Sequence, residues 1–119
     1  MNKATANERA IMLALSEAGC TVWRNETGKF WTGKVLHRDG DQVTLKGAKM
    51  IALGLCPGSS DIIGLTPNGR FLAIEAKAGT GRPTKEQRTF ITAVKAAGGV
   101  AGAAWSPEQA LSILNEEEQ

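Results

Sequence analysis

Three charged residues stand where the sequence otherwise implies an oily sheet. Residues 59–77, SSDIIGLTPNGRFLAIEAK, read as two apolar strands around a turn, with Asp61 on the first strand and Glu75 and Lys77 on the second. Pro67, Asn68 and Gly69 fit a three-residue loop, a type I turn closed by a left-handed glycine. That loop sets Thr66 opposite Arg70. Counting outward, Asp61 falls across from Glu75 with both side chains on one face, and Lys77, two residues further, shares it. Facing carboxylates repel, and taking them out of water adds several kcal/mol to that cost unless something offsets it. A divalent cation offsets both effects. Mg²⁺ suits the pair because it takes oxygen ligands, needs only one or two carboxylates and keeps positions for water and phosphate. Such an ion activates water and stabilises a phosphodiester under attack, and a neighbouring Lys77 would hold the water or neutralise the developing phosphorane. The competing reading is an ordinary Glu75–Lys77 ion pair at a sheet edge.

The elements that must position these groups are legible in outline. A helix is expected over residues 6–18, with Glu8, Ile11, Met12 and Leu15 on one face and Gly19 as its stop. CTVWRN follows as a short strand. KVLHRDGDQVTLK reads as a hairpin turning on Asp39 and Gly40 in a type I′ turn, which leaves ETGKFWTG as an exposed loop. In the opening stretch Ile63, Leu65, Phe71 and Ala73 lie beside the charges and Ile62, Leu72, Ile74 and Ala76 behind them, so both strands belong in a sheet interior. A glycine-rich loop then leads into a helix whose Gln87, Phe90, Ile91 and Val94 share a face, with Gly98 and Gly99 as the stop. VAGAAW is a further strand. Ser106 caps a last helix that has Pro107 in its first position. The sum is one mixed α/β domain over residues 1–119 with a central sheet flanked by helices.

Glu8 and Gln87 each admit two roles. Thr5 with Glu8 and Thr84 with Gln87 match a capping box, in which the side chain returns to the N-cap amide. Each also lies on the apolar stripe of its helix, where an inward polar end needs a buried partner, and the charged strands supply one. Capping and a shared site are compatible.

Asp61, then Glu75 and Lys77 on the paired strand, with Glu8 on the leading helix and Gln87 after the glycine-rich loop, resembles the PD-(D/E)XK nuclease superfamily. More narrowly, the chain is similar to VRR-NUC domains: the resemblance runs through NERAIMLALSEAG, WRNETG, GSSDIIGLTPNGRFLAIEAK, GTGRPTKEQRTFITAVKAAGG and the closing strand and helix. It implies a restriction-endonuclease-like core in which Asp61, Glu75 and the Ala76 carbonyl hold Mg²⁺ or Mn²⁺. Lys77 would be the catalytic lysine, and Glu8 and Gln87 supporting residues. Ser60 stands where that family has proline before the aspartate; proline stiffens the approach without giving ligand atoms, so the change touches the motif more than the chemistry. The implied activity is a DNA endonuclease leaving a 5′-phosphate. Stand-alone domains of this kind resemble phage-type enzymes that cut four-way junctions, which implies a two-fold homodimer, since one short chain brings one active site.

Composition neither forces nor forbids this reading. The apolar share is 42%, the charged share 22% and the net charge +2, ordinary for a globular domain and too small to mark a nucleic-acid binder. Residues 116–118 are all Glu, so the body is more basic than the total suggests. The cations for phosphate contacts are Arg24, Lys29, Lys34, Arg82, Lys85 and Arg88, and Gly79 and Gly81 would admit close backbone approach. Trp23, Phe30 and Trp31 are either base-stacking or interface residues, and residues 50–56, MIALGLC, join Phe30 and Trp31 as candidate dimer surface. Trp105 reads as core and His37 as an exposed turn residue. No apolar run spans a membrane, no signal-peptide pattern opens the chain, and two isolated cysteines, Cys20 and Cys56, suit a reducing cytoplasm, that of a bacterium or a phage-infected cell. The rival to a nuclease is a non-catalytic nucleic-acid-binding module, which has no need of all three of Asp61, Glu75 and Lys77. A glycoside hydrolase would use the carboxylates and leave Lys77 unexplained.

Overall fold

In the computed structural model, which describes residues 3–117, the turn at residues 66–70 forms as its residues dictate. Thr66 and Arg70 face each other through Thr66 N–H to Arg70 C=O at 2.8 Å, and Gly69 closes the loop at φ 83°. The strands on either side, β4 (Ile62–Leu65) and β5 (Phe71–Ala76), take the expected register, Ile62 opposite Ile74 through Leu65 opposite Phe71. Asp61 is the residue before β4 rather than its first residue.

The other elements are α1 (Lys3–Glu17), β1 (Thr21–Arg24), β2 (Gly28–Asp39), β3 (Gln42–Leu53), α2 (Lys85–Ala96), β6 (Val100–Ala104) and α3 (Pro107–Glu117). Four strands form one mixed sheet in the order β1-β4-β5-β6, with β5 and β6 parallel. One face packs Ile62, Leu72, Ile74, Val100 and Ala104 against Ile11 and Leu15 of α1 and Ala110 and Leu114 of α3. The other packs Ala73 and Ala101 against Val94, Phe90 and Ile91 of α2. Burial on both faces explains the near-continuous apolar run of β5. It stops short at the turn end, where Leu65 and Phe71 are exposed.

Three expectations about the rest need correction. First, α1 begins at Lys3, so Thr5 lies inside the helix and is not its N-cap. Second, ETGKFWTG is not a loop: β2 and β3 make a twelve-residue-a-side hairpin that forms its own two-stranded sheet. Its turn residues are Gly40 and Asp41, between the paired Asp39 and Gln42, and only Gly40 has positive φ, 61°, which fits type II′ rather than I′. MIALGLC is accordingly strand for most of its length, and His37 is an exposed strand residue. Third, Trp105 is half-buried instead of core.

The hairpin stands off the body as an arm. The molecule measures 55 × 29 × 26 Å, and its radius of gyration is 16.6 Å where a compact chain of this length has about 13.5 Å. No helix among the described residues is long and apolar enough to cross a membrane. Part of the acidic end falls outside the described residues.

Candidate active site

The site forms where β5 ends. Glu75 points from the middle of the sheet toward α2 and is only 5% exposed. Its Oε1 takes two contacts, Gln87 Nε2 at 3.2 Å and Lys77 Nζ at 3.5 Å. Its Oε2 is buried with no hydrogen-bond partner. The pair is therefore not a solvated ion pair at a sheet edge, because β5 lies between β4 and β6.

Gln87 reaches Glu75 while it caps its own helix. Thr84 Oγ1 accepts from Gln87 N–H at 3.1 Å, and Gln87 Oε1 accepts from Thr84 N–H at 2.8 Å, a complete capping box. The amide splits its duties: oxygen to the cap, nitrogen to the carboxylate.

Asp61 is fixed from two sides. Its Oδ1 accepts from Ala76 N–H at 2.8 Å, and its own carbonyl accepts from Asn25 N–H at 2.8 Å. The first bond takes the place of the next rung of the β4–β5 ladder. An extended residue directs N–H and C=O to the same side, so Ala76 presents its carbonyl on the edge where Asp61 sits. Lys77, one residue on, turns to β6, its N–H donating to Ala104 C=O at 2.8 Å.

Electrostatics show the strain of this crowding. Desolvation lifts Glu75 from 4.5 to about 7, the Asp61 charge adding to the rise and Lys77 opposing it. Desolvation likewise lifts Asp61 from 3.8 to about 6, against the Ala76 hydrogen bond and with help from the charge of Glu8. Unliganded, both groups hold protons well above the usual carboxylate range.

Glu8 arrives from the opposite layer. Arg24 pairs with Ile62, whose side chain joins the α1 core, and Arg24 Nε meets Glu8 Oε1 at 2.9 Å on that face. With Thr5 inside α1, capping is excluded for Glu8, and its established partner is Arg24. Among the described residues no cluster of three or more His, Cys, Asp or Glu could hold a metal ion. The oxygen set is thus two carboxylates and a strand carbonyl, within what Mg²⁺ accepts when waters and phosphate complete its shell.

The expected phosphate-binding cations separate into three groups. Arg24 is engaged by Glu8 and lies 3.8 Å from Glu26. Arg82 lies over the Trp105 ring at 5.3 Å, and Arg88 donates to Pro83 C=O, so together with Lys85 they surround the start of α2 near Gln87. Lys29 and Lys34 are on the arm. Trp105 Nε1 donates to Gly81 C=O at 2.9 Å, pinning the glycine-rich loop. Ser106 Oγ accepts from Gln109 N–H as the expected cap of α3. Trp23 and Trp31 are exposed, Phe30 partly so.

No protein-family model matches the chain, and no curated protein matches it.

Two asparagines carry positioning roles that sequence reasoning missed. Asn7 Nδ2 donates to Lys77 C=O at 2.6 Å and Trp105 C=O at 3.1 Å, tying α1 to the ends of two strands. Buried Asn25 donates to Ser59 Oγ and Ser60 C=O, each at 2.8 Å, and accepts from Leu55 N–H at 3.3 Å. It therefore holds the whole approach to Asp61, the task that a stiff proline would ease at Ser60. Ser60 itself is fully buried with its Oγ unpartnered. The only sequence signal for either asparagine was its place, one turn into a helix or just past a strand, next to predicted site residues. We expect Asn25→Ala to lower the unfolding free energy by about 2–4 kcal/mol, seen as a reduced urea midpoint, because it strands several buried polar groups at once.

Proposed function

We propose that the chain is a divalent-metal-dependent DNA endonuclease with a restriction-endonuclease-like core of the VRR-NUC kind, working in the cytoplasm of a bacterial or phage-infected cell. The observation that carries this reading is the buried, partnerless Glu75 Oε2 beside a second carboxylate. A bound cation would give that carboxylate oxygen the partner it lacks, and an oxygen-only set of Asp61, Glu75 and the Ala76 carbonyl fits Mg²⁺, with Mn²⁺ able to substitute. When bound, the ion supplies Lewis acidity at the phosphodiester and lowers the pKa of a water.

The chain's own residues do the rest. Lys77, fixed through its amide by β6 and through its carbonyl by Asn7, places an ammonium at the mouth of the carboxylate pair, where it can orient a water and offset charge on the phosphorane. Gln87 holds Glu75 Oε1, which leaves Oε2 as the oxygen that would take the ion. Asn25 keeps Asp61 in place. Arg82, Lys85 and Arg88 around the start of α2 take the flanking phosphates.

The preferred substrate in this reading is branched DNA, including four-way junctions, cut by a two-fold homodimer. The arm supports the dimer. A two-stranded hairpin is marginal alone in water, yet one of its faces carries Trp31 and Met50, 62% and 50% exposed, with Val35, Val43 and Leu45 around a groove of about 720 Å³. A second copy would cover it. The test is cleavage of labelled single-stranded, flap and four-way junction DNA in Mg²⁺, Mn²⁺ or EDTA, with solution mass measured alongside. Metal-dependent cuts with 5′-phosphate ends are expected; binding without cleavage under every condition would favour a non-catalytic module.

A further inference from the structure

We infer that the arm's second face is a phosphate-backbone clamp, with Lys34, Lys46 and Lys49 contacting duplex DNA away from the carboxylates. This rests on the nuclease reading and adds to it a binding surface away from the metal site.

The register places the three lysines together. Lys34 is directly opposite Lys46, and Lys49 is opposite Thr32, two residues before Lys34. The register shift between Thr32 and Lys34 marks a bulge at Gly47, φ 65°, which puts an extra residue into β3 and keeps Lys46 and Lys49 on one face. Thr44, opposite His37, continues that face toward the tip. The apolar groove with Trp31, Val35 and Leu45 occupies the other side. All three lysines are exposed.

The arm as a whole is basic, with Lys29 and Arg38 on the groove side and the three lysines on this one. Residues 28–53 hold five Lys or Arg against two Asp, both of these at the tip, so the arm alone carries +3 in a chain whose total is +2. Like charges directly across a strand pair destabilise it, and a free-standing hairpin has little stability to spare. A polyanion removes that repulsion. The hydroxyls of Thr32 and Thr44 are further donors of the kind that bind phosphate oxygens.

The arm is also rooted at the site. Its first residue, Gly28, follows Asn25 closely, Leu55 just past its last residue donates to Asn25 Oδ1, and Asn25 N–H binds the Asp61 carbonyl. Lys34 is six residues along β2 from the root, about 20 Å at ~3.3 Å per residue. That distance matches about six base-pair steps of duplex.

The test compares wild type with K34Q/K46Q/K49Q on a fluorescent four-way junction in Ca²⁺, across a series of NaCl concentrations. The variant is expected to bind roughly ten-fold or more weakly at ~0.1 M salt, with the slope of log K against log salt smaller by about three. Replacement by Arg at the three positions should restore both. K95Q, at the far end of α2, controls for loss of a single charge, and circular dichroism checks that the arm stays folded. Wild type that binds and cuts while the Gln variant keeps its full salt slope would overturn the clamp and leave the nuclease reading standing. Wild type that neither binds nor cuts would overturn both.

Discussion

Asp61→Asn is expected to reduce phosphodiester cleavage by on the order of 10³-fold while leaving the metal-free protein at least as stable as wild type above pH 7. The two effects have one cause. Asn retains an acceptor for Ala76 N–H, so the bond that holds the end of β5 survives. What disappears is the charge that helps to keep Glu75 raised to about 7. Glu75 then ionises more easily, but the proposed ion would lose one of two carboxylates and should bind far more weakly. Lys77→Ala should cost a similar factor in rate with the opposite signature: Glu75 loses the ammonium 3.5 Å away that opposes its rise, and its pKa rises further. Single-turnover cleavage at saturating junction, read beside urea denaturation in EDTA, separates the two. An Asp61→Asn protein that cuts at the wild-type rate, or unfolds more readily in EDTA, would contradict this account.

The second large effect is the dependence of stability on pH and metal. Both carboxylates have native pKa values above their unfolded ones, about 6 against 3.8 for Asp61 and about 7 against 4.5 for Glu75. Between about pH 4 and pH 7 the native state thus binds more protons than the unfolded chain, so stability falls as pH rises through that window. For Glu75 the loss is on the order of 3 kcal/mol, since a shift of one pKa unit is about 1.4 kcal/mol. On the proposed reading Mg²⁺ should reverse the trend, because it would bind the ionised pair and not the protonated one. At pH 8, Mg²⁺ at ten times its dissociation constant adds about 1.4 kcal/mol, several degrees in melting temperature for a domain of this size. At pH 5 it should add almost nothing. Thermal melts between pH 4 and 9, in EDTA or Mg²⁺, give the answer. A metal-free protein that becomes more stable between pH 5 and 7 would reverse the sign and rule out the crowded pair.

How far the residues announced these features depends on the range of the interactions involved. The β4–β5 register was legible because a three-residue turn is set by Pro67, Asn68 and Gly69 themselves, and alternation then carries it outward to Asp61 and Glu75. The capping box at Thr84 and Gln87 is equally local, and it formed together with the contact to Glu75. The same pattern at Thr5 and Glu8 failed, since a capping box has meaning only at a helix start and α1 begins earlier, at Lys3. The arm was underestimated because glycines at 28, 33 and 47 look like loop punctuation. In the fold Gly28 opens β2, Gly33 lies inside it, and Gly47 sits at a bulge in β3. Asn7 and Asn25 act on carbonyls and hydroxyls 34 to 98 residues away, and no spacing rule along the chain encodes such pairs. Arg24 showed the same limit: its charge suggested phosphate, while the fold gave it Glu8.

The most direct test of the central claim is diffraction from crystals grown in Mn²⁺ at pH 8, recorded at the manganese absorption edge. The account predicts one anomalous peak per chain within coordination distance of Asp61, Glu75 Oε2 and the Ala76 carbonyl. Full-occupancy manganese elsewhere on the protein, with Glu75 Oε2 still bare and Asp61 turned away from it, would contradict it.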